Sequence, residues 1–211
     1  SNEEPCAEIS LGGKKDVDKA VSAAKKAFET WAFTKKEERL ELLEKLYVIY
    51  KKRWAEMAKL ISLEMGAPIK FSTEMQAATG AGHIKSFKQI LKDFKFEKDL
   101  GEEKNNQKLL YEPKGVCALI TPWNWPINQV NLKVIPALAS ACTVVLKPSE
   151  IAPLSSMLLA EMIDEAKFPS GVFNLINGDG AITGNALTSH PDINMISFTG
   201  STRAGALISQ N

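Results

Sequence analysis

The sequence predicts an α/β chain: amphipathic helices first, then a parallel sheet with helices on both faces. Two observations carry this. Up to about residue 93, apolar side chains recur at three-and-four spacing, and from Gly115 short apolar runs alternate with helical stripes. Between these parts lies a third feature, a polar run over residues 99–108 flanked by two short segments. The expected organisation is a helical part over 1–93, a two-stranded arm over 94–114 and a sheet-forming part over 115–211.

The first stripe, Val17, Ala20, Val21, Ala24, Ala27, Phe28 and Trp31, predicts one helix with Asp16 as its N-cap. A second helix should open with Thr34 and Glu37 in capping-box register and continue through Leu40, Leu43, Leu46, Tyr47, Tyr50, Trp54, Met57 and Ile61. Gly66 and Pro68 should stop it. A third pattern over 69–94 is weaker because Gly80 and Gly82 interrupt it. Residues 94–98 and 109–114 read as two strands joined by an exposed turn. Beyond them, strands are expected at 115–121, 143–147, 172–176 and 195–198. Helices are expected near 127–141, 153–166 and 181–189, with another starting at Thr202.

Composition narrows the function. Among 211 residues, 45% are apolar and 24% charged, which predicts a packed core. Lys plus Arg number 26 against 25 Asp plus Glu, so no charge excess argues for nucleic acid or an anionic membrane as partner. The cysteines, Cys6, Cys117 and Cys142, lack metal-ligand spacing, and their odd number argues against a disulfide framework. With only His83 and His190, a histidine-based metal site is not expected. No apolar run approaches the ~20 residues of a membrane span. Ser1-Asn2-Glu3-Glu4-Pro5 is no signal peptide and lacks an initiator Met, so a soluble, reduced, cytoplasmic protein with a non-natural first residue is expected.

Parallel sheets take their ligands at the carboxyl ends of their strands, so the loops after each expected strand matter most. After the first comes Thr121-Pro122-Trp123-Asn124-Trp125-Pro126, a stiff loop that presents one amide. A fixed amide N–H donor suits a developing oxyanion; equally, an Asn in a turn commonly satisfies its own backbone. After the second comes Lys147-Pro148-Ser149-Glu150. Here an acid and a lysine fit ribose hydroxyls or a phosphate, or else form a solvated loop. After the third, Gly178-Asp179-Gly180-Ala181-Ile182-Thr183-Gly184 nearly spells a dinucleotide fingerprint, but Thr183 stands where its last Gly belongs. A plain strand-to-helix turn explains it as well. After the fourth, Phe198-Thr199-Gly200-Ser201-Thr202-Arg203-Ala204-Gly205 gives Gly200 for a tight turn and Ser201 and Thr202 for capping. Gly205 would permit close approach of the helix, whose N-terminus could seat a phosphate or simply be capped. Ala206 and Leu207 exclude a Walker-type loop.

In their order and placement these motifs resemble the NAD(P)-dependent aldehyde dehydrogenase superfamily, from about Pro5 to Asn211. The resemblance implies a Rossmann-like cofactor-binding part, an oligomerisation arm over the two short strands, and a homo-oligomer acting on a small-molecule aldehyde. It implies that Asn124 is the oxyanion-hole amide and that Thr121, Pro122 and Trp123 line the cofactor's path. Lys147 and Glu150 would hold the adenosine ribose, Gly180 and Ala181 would lie beside the adenine, and Ser201, with Gly200, Thr202 and Gly205 around it, would meet the pyrophosphate. Glu150 would repel a 2′-phosphate, which favours NAD, while Lys147 leaves NADP open. Trp125, Asn128 and Gln129 are expected in the wall of the aldehyde tunnel.

One departure qualifies the match. The family's general-base Glu, in a Glu-Leu-Gly-Gly-type segment, and its nucleophilic Cys, in a separate catalytic domain, would follow Gln210-Asn211, so both are expected to be absent here and these residues alone inactive. A non-catalytic nucleotide-binding or oligomerising remnant, and part of a CoA-acylating relative, are the alternatives.

Overall fold

The computed structural model describes residues 4–101 and 107–211. Residues 1–3 of the N-terminal reading and 102–106 of the expected turn lie outside the described residues.

Helix α1 (Lys14–Trp31) forms where the stripe places it and buries Val17, Val21, Ala24 and Trp31. Its cap differs from expectation. Gly13 is the N-cap, and Asp16 sits one turn in, accepting the Gly13 N–H at 2.9 Å. The long second helix is divided into α2 (Lys36–Lys52) and α3 (Trp54–Met65). Arg53 leaves the helical region between them (φ −98°, ψ 16°) and reaches Glu56 and Glu161, each at 2.7 Å. The apolar stripe runs unbroken across this joint, so periodicity alone could not reveal it. Thr34 is not the cap either: its hydroxyl donates to Trp31 O at 2.7 Å, and Lys35 takes the N-cap position. Gly66, left-handed at φ 74°, ends α3 as expected.

The third pattern is a stronger element than its glycines imply. A short helix α4 (Ile69–Phe71), a π-helical turn Ser72–Gln76 and helix α5 (Ala77–Asp93) follow one another without a gap. Gly80 is there for packing: a Cβ at this position would run into the Tyr50 hydroxyl and touch Ile127. Its carbonyl accepts from Asn131 Nδ2 at 3.0 Å, and Ala77 O accepts from the Tyr50 hydroxyl at 2.9 Å.

The arm is shorter than expected, an antiparallel pair of β1 (Glu97–Asp99) and β2 (Lys108–Leu110), exposed throughout. The main sheet then forms from β3 (Val116–Ile120), β4 (Thr143–Lys147), β5 (Phe173–Leu175) and β6 (Met195–Phe198), all parallel, in the order β5-β4-β3-β6. Between them run α6 (Pro126–Ala139), α7 (Leu154–Glu165) and α8 (Asn185–Thr188), and α9 (Thr202–Ile208) follows β6. The helix expected at 181–189 is a π-turn, Gly180–Gly184, followed by the single turn of α8.

Strand alternation divides the core in two. Val116, Ala118, Ile120 and Val145 face α1, packing with Val17, Val21 and Ala24. Cys117, Leu119, Val144 and Leu146 face the opposite side, against α6, α7 and the N-terminal helices. β3 and β4 are buried along their whole length, β3 apolar throughout and β4 apolar at Val144, Val145 and Leu146 between Thr143 and Lys147. Among the described residues no helix is long and apolar enough to cross a membrane, and no cluster of three potential metal ligands occurs.

Candidate cofactor crevice at the strand ends

Parallel register places the site. Ile120 pairs with Lys147 on one side and with Phe198 on the other, so the loops after β3, β4 and β6 leave the sheet at one edge. Over that edge lies a crevice of about 430 Å³. Lys147, Gly180 and Ala181 line one side, Phe198 and Ala204 another, and Ile120 lies at its floor. The structure therefore brings together Lys147, Gly180 and Ala181. It keeps Asn124, Glu150, Gly200, Ser201, Thr202 and Gly205 at the same edge but outside the lining.

Lys147 is 3% exposed, and its ammonium is fully occupied: it donates to Gly178 O at 2.6 Å, to Pro148 O at 2.9 Å and to Glu150 Oε2 at 3.4 Å. Burial lowers its pKa below the ordinary lysine value, and the nearby Glu150 works against that fall. The longest of the three bonds is the one to Glu150, so this contact yields most readily to an incoming hydroxyl. Glu150 is largely open to solvent, its side chain 42% exposed. Lys147 thus ties the β4 loop to the β5 loop and holds the solvent-exposed acid only by its longest bond.

Next to it, the fingerprint-like segment uses its residues differently from a dinucleotide turn. Asp179 caps the π-turn, accepting Ile182 N at 2.6 Å. Thr183, the residue that breaks the fingerprint, is buried, and its hydroxyl donates to Gly12 O, fastening the N-terminal segment to this loop. Gly180 lines the crevice, and a Cβ there would meet only open space.

At β6, Ser201 caps α9, its hydroxyl accepting Ala204 N at 3.2 Å. The two glycines here differ in what they are needed for. Gly200 has no positive φ, and a Cβ there would strike the Phe198 ring. At Gly205 a Cβ would meet that ring at 3.6 Å, an ordinary contact, so close approach of α9 to the sheet does not demand glycine.

Two side chains of the β3 loop, Thr121 and Asn124, leave their polar groups free. Thr121 is 4% exposed, yet its hydroxyl has no partner. Trp125 N-caps α6, Pro126 fills the first helical position, and the Trp125 ring packs edge-on against Phe71 at 5.5 Å. Asn124 is exposed between these fixed points, and no hydrogen bond to its own loop engages its amide. Asn128 bonds His83 at 2.8 Å, linking α6 to α5. The cysteines lie elsewhere: Cys6 is exposed in the N-terminal segment, and Cys117 and Cys142 are buried on the far face of the sheet.

The aldehyde dehydrogenase family model matches residues 1–211. The chain belongs to the aldehyde dehydrogenase family. A 3-succinoylsemialdehyde-pyridine dehydrogenase from Pseudomonas sp. is 52% identical over 95% of this chain, which covers 42% of that relative. A crystal structure of an aldehyde dehydrogenase from Bartonella henselae superposes with a TM-score of 0.96 at 61% identity, over 99% of this chain and 44% of that one. A mutant aldehyde dehydrogenase C from Pseudomonas syringae, complexed with NAD+ and octanal, superposes with a TM-score of 0.95 at 47% identity, over 99% of this chain and 42% of that one. This aldehyde dehydrogenase chain therefore spans less than half the length of these relatives.

Sequence reasoning missed part of the site. Asn185 and Thr188 of α8 and Leu207 and Ile208 of α9 also line the crevice, because the two helices face each other across it. Helix patterning gave no sign that they do.

Proposed function

We propose that this chain is the cofactor-binding portion of an aldehyde dehydrogenase that oxidises an aldehyde to a carboxylic acid with NAD+. The observation that carries the reading is the crevice at the shared strand edge, lined by Lys147 and by open glycine backbone at Gly180, with Glu150 bonded to Lys147 just outside the lining. The residues fit the cofactor: Glu150 offers a solvent-exposed carboxylate to ribose hydroxyls, Thr121 holds an unpartnered buried hydroxyl, and Ser201 opens a helix at the same edge. The relative from Pseudomonas syringae was crystallised with NAD+, which supports the choice.

When bound, the nicotinamide accepts the hydride from the aldehyde carbon. Pro122 and Trp123 line the path toward it. Asn124 donates an amide N–H to the oxyanion that forms as a thiolate from another part of the complete enzyme attacks the carbonyl. Its loop is fixed by two prolines and the Trp125–Phe71 contact, so the donor needs no reorganisation. Lys147 holds the β4 and β5 loops together, Gly180 and Ala181 leave room for the adenine, and Gly200, Ser201, Thr202 and Gly205 shape the phosphate end. The β1–β2 arm serves oligomerisation. Trp125, Asn128 and Gln129 form part of the aldehyde's wall.

Fluorescence titration tests this. The chain is expected to bind NAD+ more tightly than NADP+, because Glu150 repels a 2′-phosphate, and Glu150→Gln should weaken NAD+ and narrow the preference. A chain that binds neither nucleotide, or a Glu150→Gln variant with unaltered preference, refutes the assignment.

A further inference from the structure

Helix α7 begins without a cap of its own. Pro153 stands at its N-cap, with no N–H and no polar side chain, and leaves the first N–H groups of the helix without a local acceptor. One distant carboxylate takes them. Leu154 N donates to Glu64 Oε2 at 2.5 Å, and Ser155 N lies 3.3 Å from both oxygens of the same group. Glu64 belongs to α3, ninety positions from Leu154 in sequence. A carboxylate at a helix N-terminus satisfies free donors and opposes the positive end of the helix dipole.

The segment entering α7 is the loop that carries Glu150. Its upstream end is fixed by β4 and by the Lys147 ammonium on Pro148 O. Its middle turns on Ser149, whose hydroxyl accepts Ile151 N at 3.3 Å and whose carbonyl accepts Ala152 N at 3.2 Å. Its downstream end is the first turn of α7, and the side chain that holds this end is Glu64. A loop tethered at both ends keeps Glu150 beside Lys147; with the downstream tether cut, the first turn frays and the acid is no longer held at one place.

We propose that Glu64 is a positioning residue for the adenosine end of the cofactor crevice, acting through the start of α7 on the loop that presents Glu150. This rests on the reading of Lys147 and Glu150 as the ribose grip. Glu64 does not line the crevice; it sets where Glu150 stands. It lies outside every motif of the strand-end loops.

Calorimetric titration of the full-length protein with AMP and with nicotinamide mononucleotide tests the proposal. Glu64→Ala should weaken AMP by about tenfold, the scale of a lost helix cap, and leave the mononucleotide unchanged. Glu64→Gln, whose amide oxygen still accepts both N–H groups, should restore AMP binding. If the alanine variant fails to fold, Glu64→Asp, too short to reach α7, takes its place with the same expectation. Unchanged AMP affinity in these variants, or an equal loss for both ligands, overturns the proposal. If the unsubstituted protein does not bind AMP, or Glu150→Gln leaves AMP affinity unmoved, the ribose grip itself fails, and that outcome is told apart from a failure of Glu64 alone.

Discussion

Asn124 separates two explanations that its hexapeptide leaves equal. An asparagine in a turn usually serves its own backbone, but here the amide bonds nothing in its loop while its neighbours are held by proline rings and an aromatic contact. A free donor on a rigid support is what oxyanion stabilisation requires, since the dipole must already point the right way when charge develops. Asn124→Ala in the complete enzyme should therefore lower kcat by ~10²–10³ and leave the Kd for NAD+ unaltered. Steady-state kinetics beside a binding titration decides it; unchanged kcat removes Asn124 from the chemistry. Thr183 teaches the converse. It looks like an error in a glycine motif, yet its hydroxyl fastens Gly12, a contact only the folded chain can display.

At the scale of elements, α5 shows how a helix tolerates glycine when another helix needs the room. Alanine is the better helix former by ~1 kcal/mol, so Gly80 is a local cost. The Tyr50 hydroxyl occupies the space a methyl group would need, and Tyr50 is itself held by Ala77 O. Gly80→Ala should therefore destabilise the protein by about 1–2 kcal/mol, overpacking outweighing propensity. Urea unfolding measures this, and adding Tyr50→Phe, which removes the nearest clashing atom, should recover part of the loss. A Gly80→Ala variant more stable than the parent would show that the three-helix contact is loose. The π-turn before α5 has a comparable use: Thr73 O accepts the Trp54 indole N–H at 3.0 Å, joining α3 to the turn.

For the molecule as a whole, stability should carry the mark of Glu64. Desolvation raises its carboxyl above the ordinary value, and the Leu154 and Ser155 N–H groups only partly offset this. Because the folded state holds this proton more tightly than the unfolded one, the Glu64 contribution to stability is fully present below the unfolded pKa. It is lost as pH rises through the raised folded value. Glu64→Gln lacks that loss, so its stability relative to the parent should increase as pH climbs through this window. Paired thermal melts from pH 4 upward measure it, and a difference that stays flat across the window contradicts the assignment.

The sequence by itself determined the alternation of strand and helix, the burial of β3 and β4, and the order of the strand-end motifs, because period and apolar run length are local properties. It also led to the loops after the strands, since parallel strands must send them to one edge, and Lys147, Gly180 and Ala181 of those loops line the crevice there. Only the tertiary structure decided the rest. It placed the break at Arg53, where the stripe continues but the side chain answers acids on α3 and α7, and it replaced Asp16 and Thr34 as caps. It turned the first half of the expected helix at 181–189 into a π-turn, left only the single turn of α8 to follow, and set Glu64 at the start of α7. Each of these depends on partners far apart in the chain, and a pattern read over a few neighbouring residues carries no record of what lies across a helix interface.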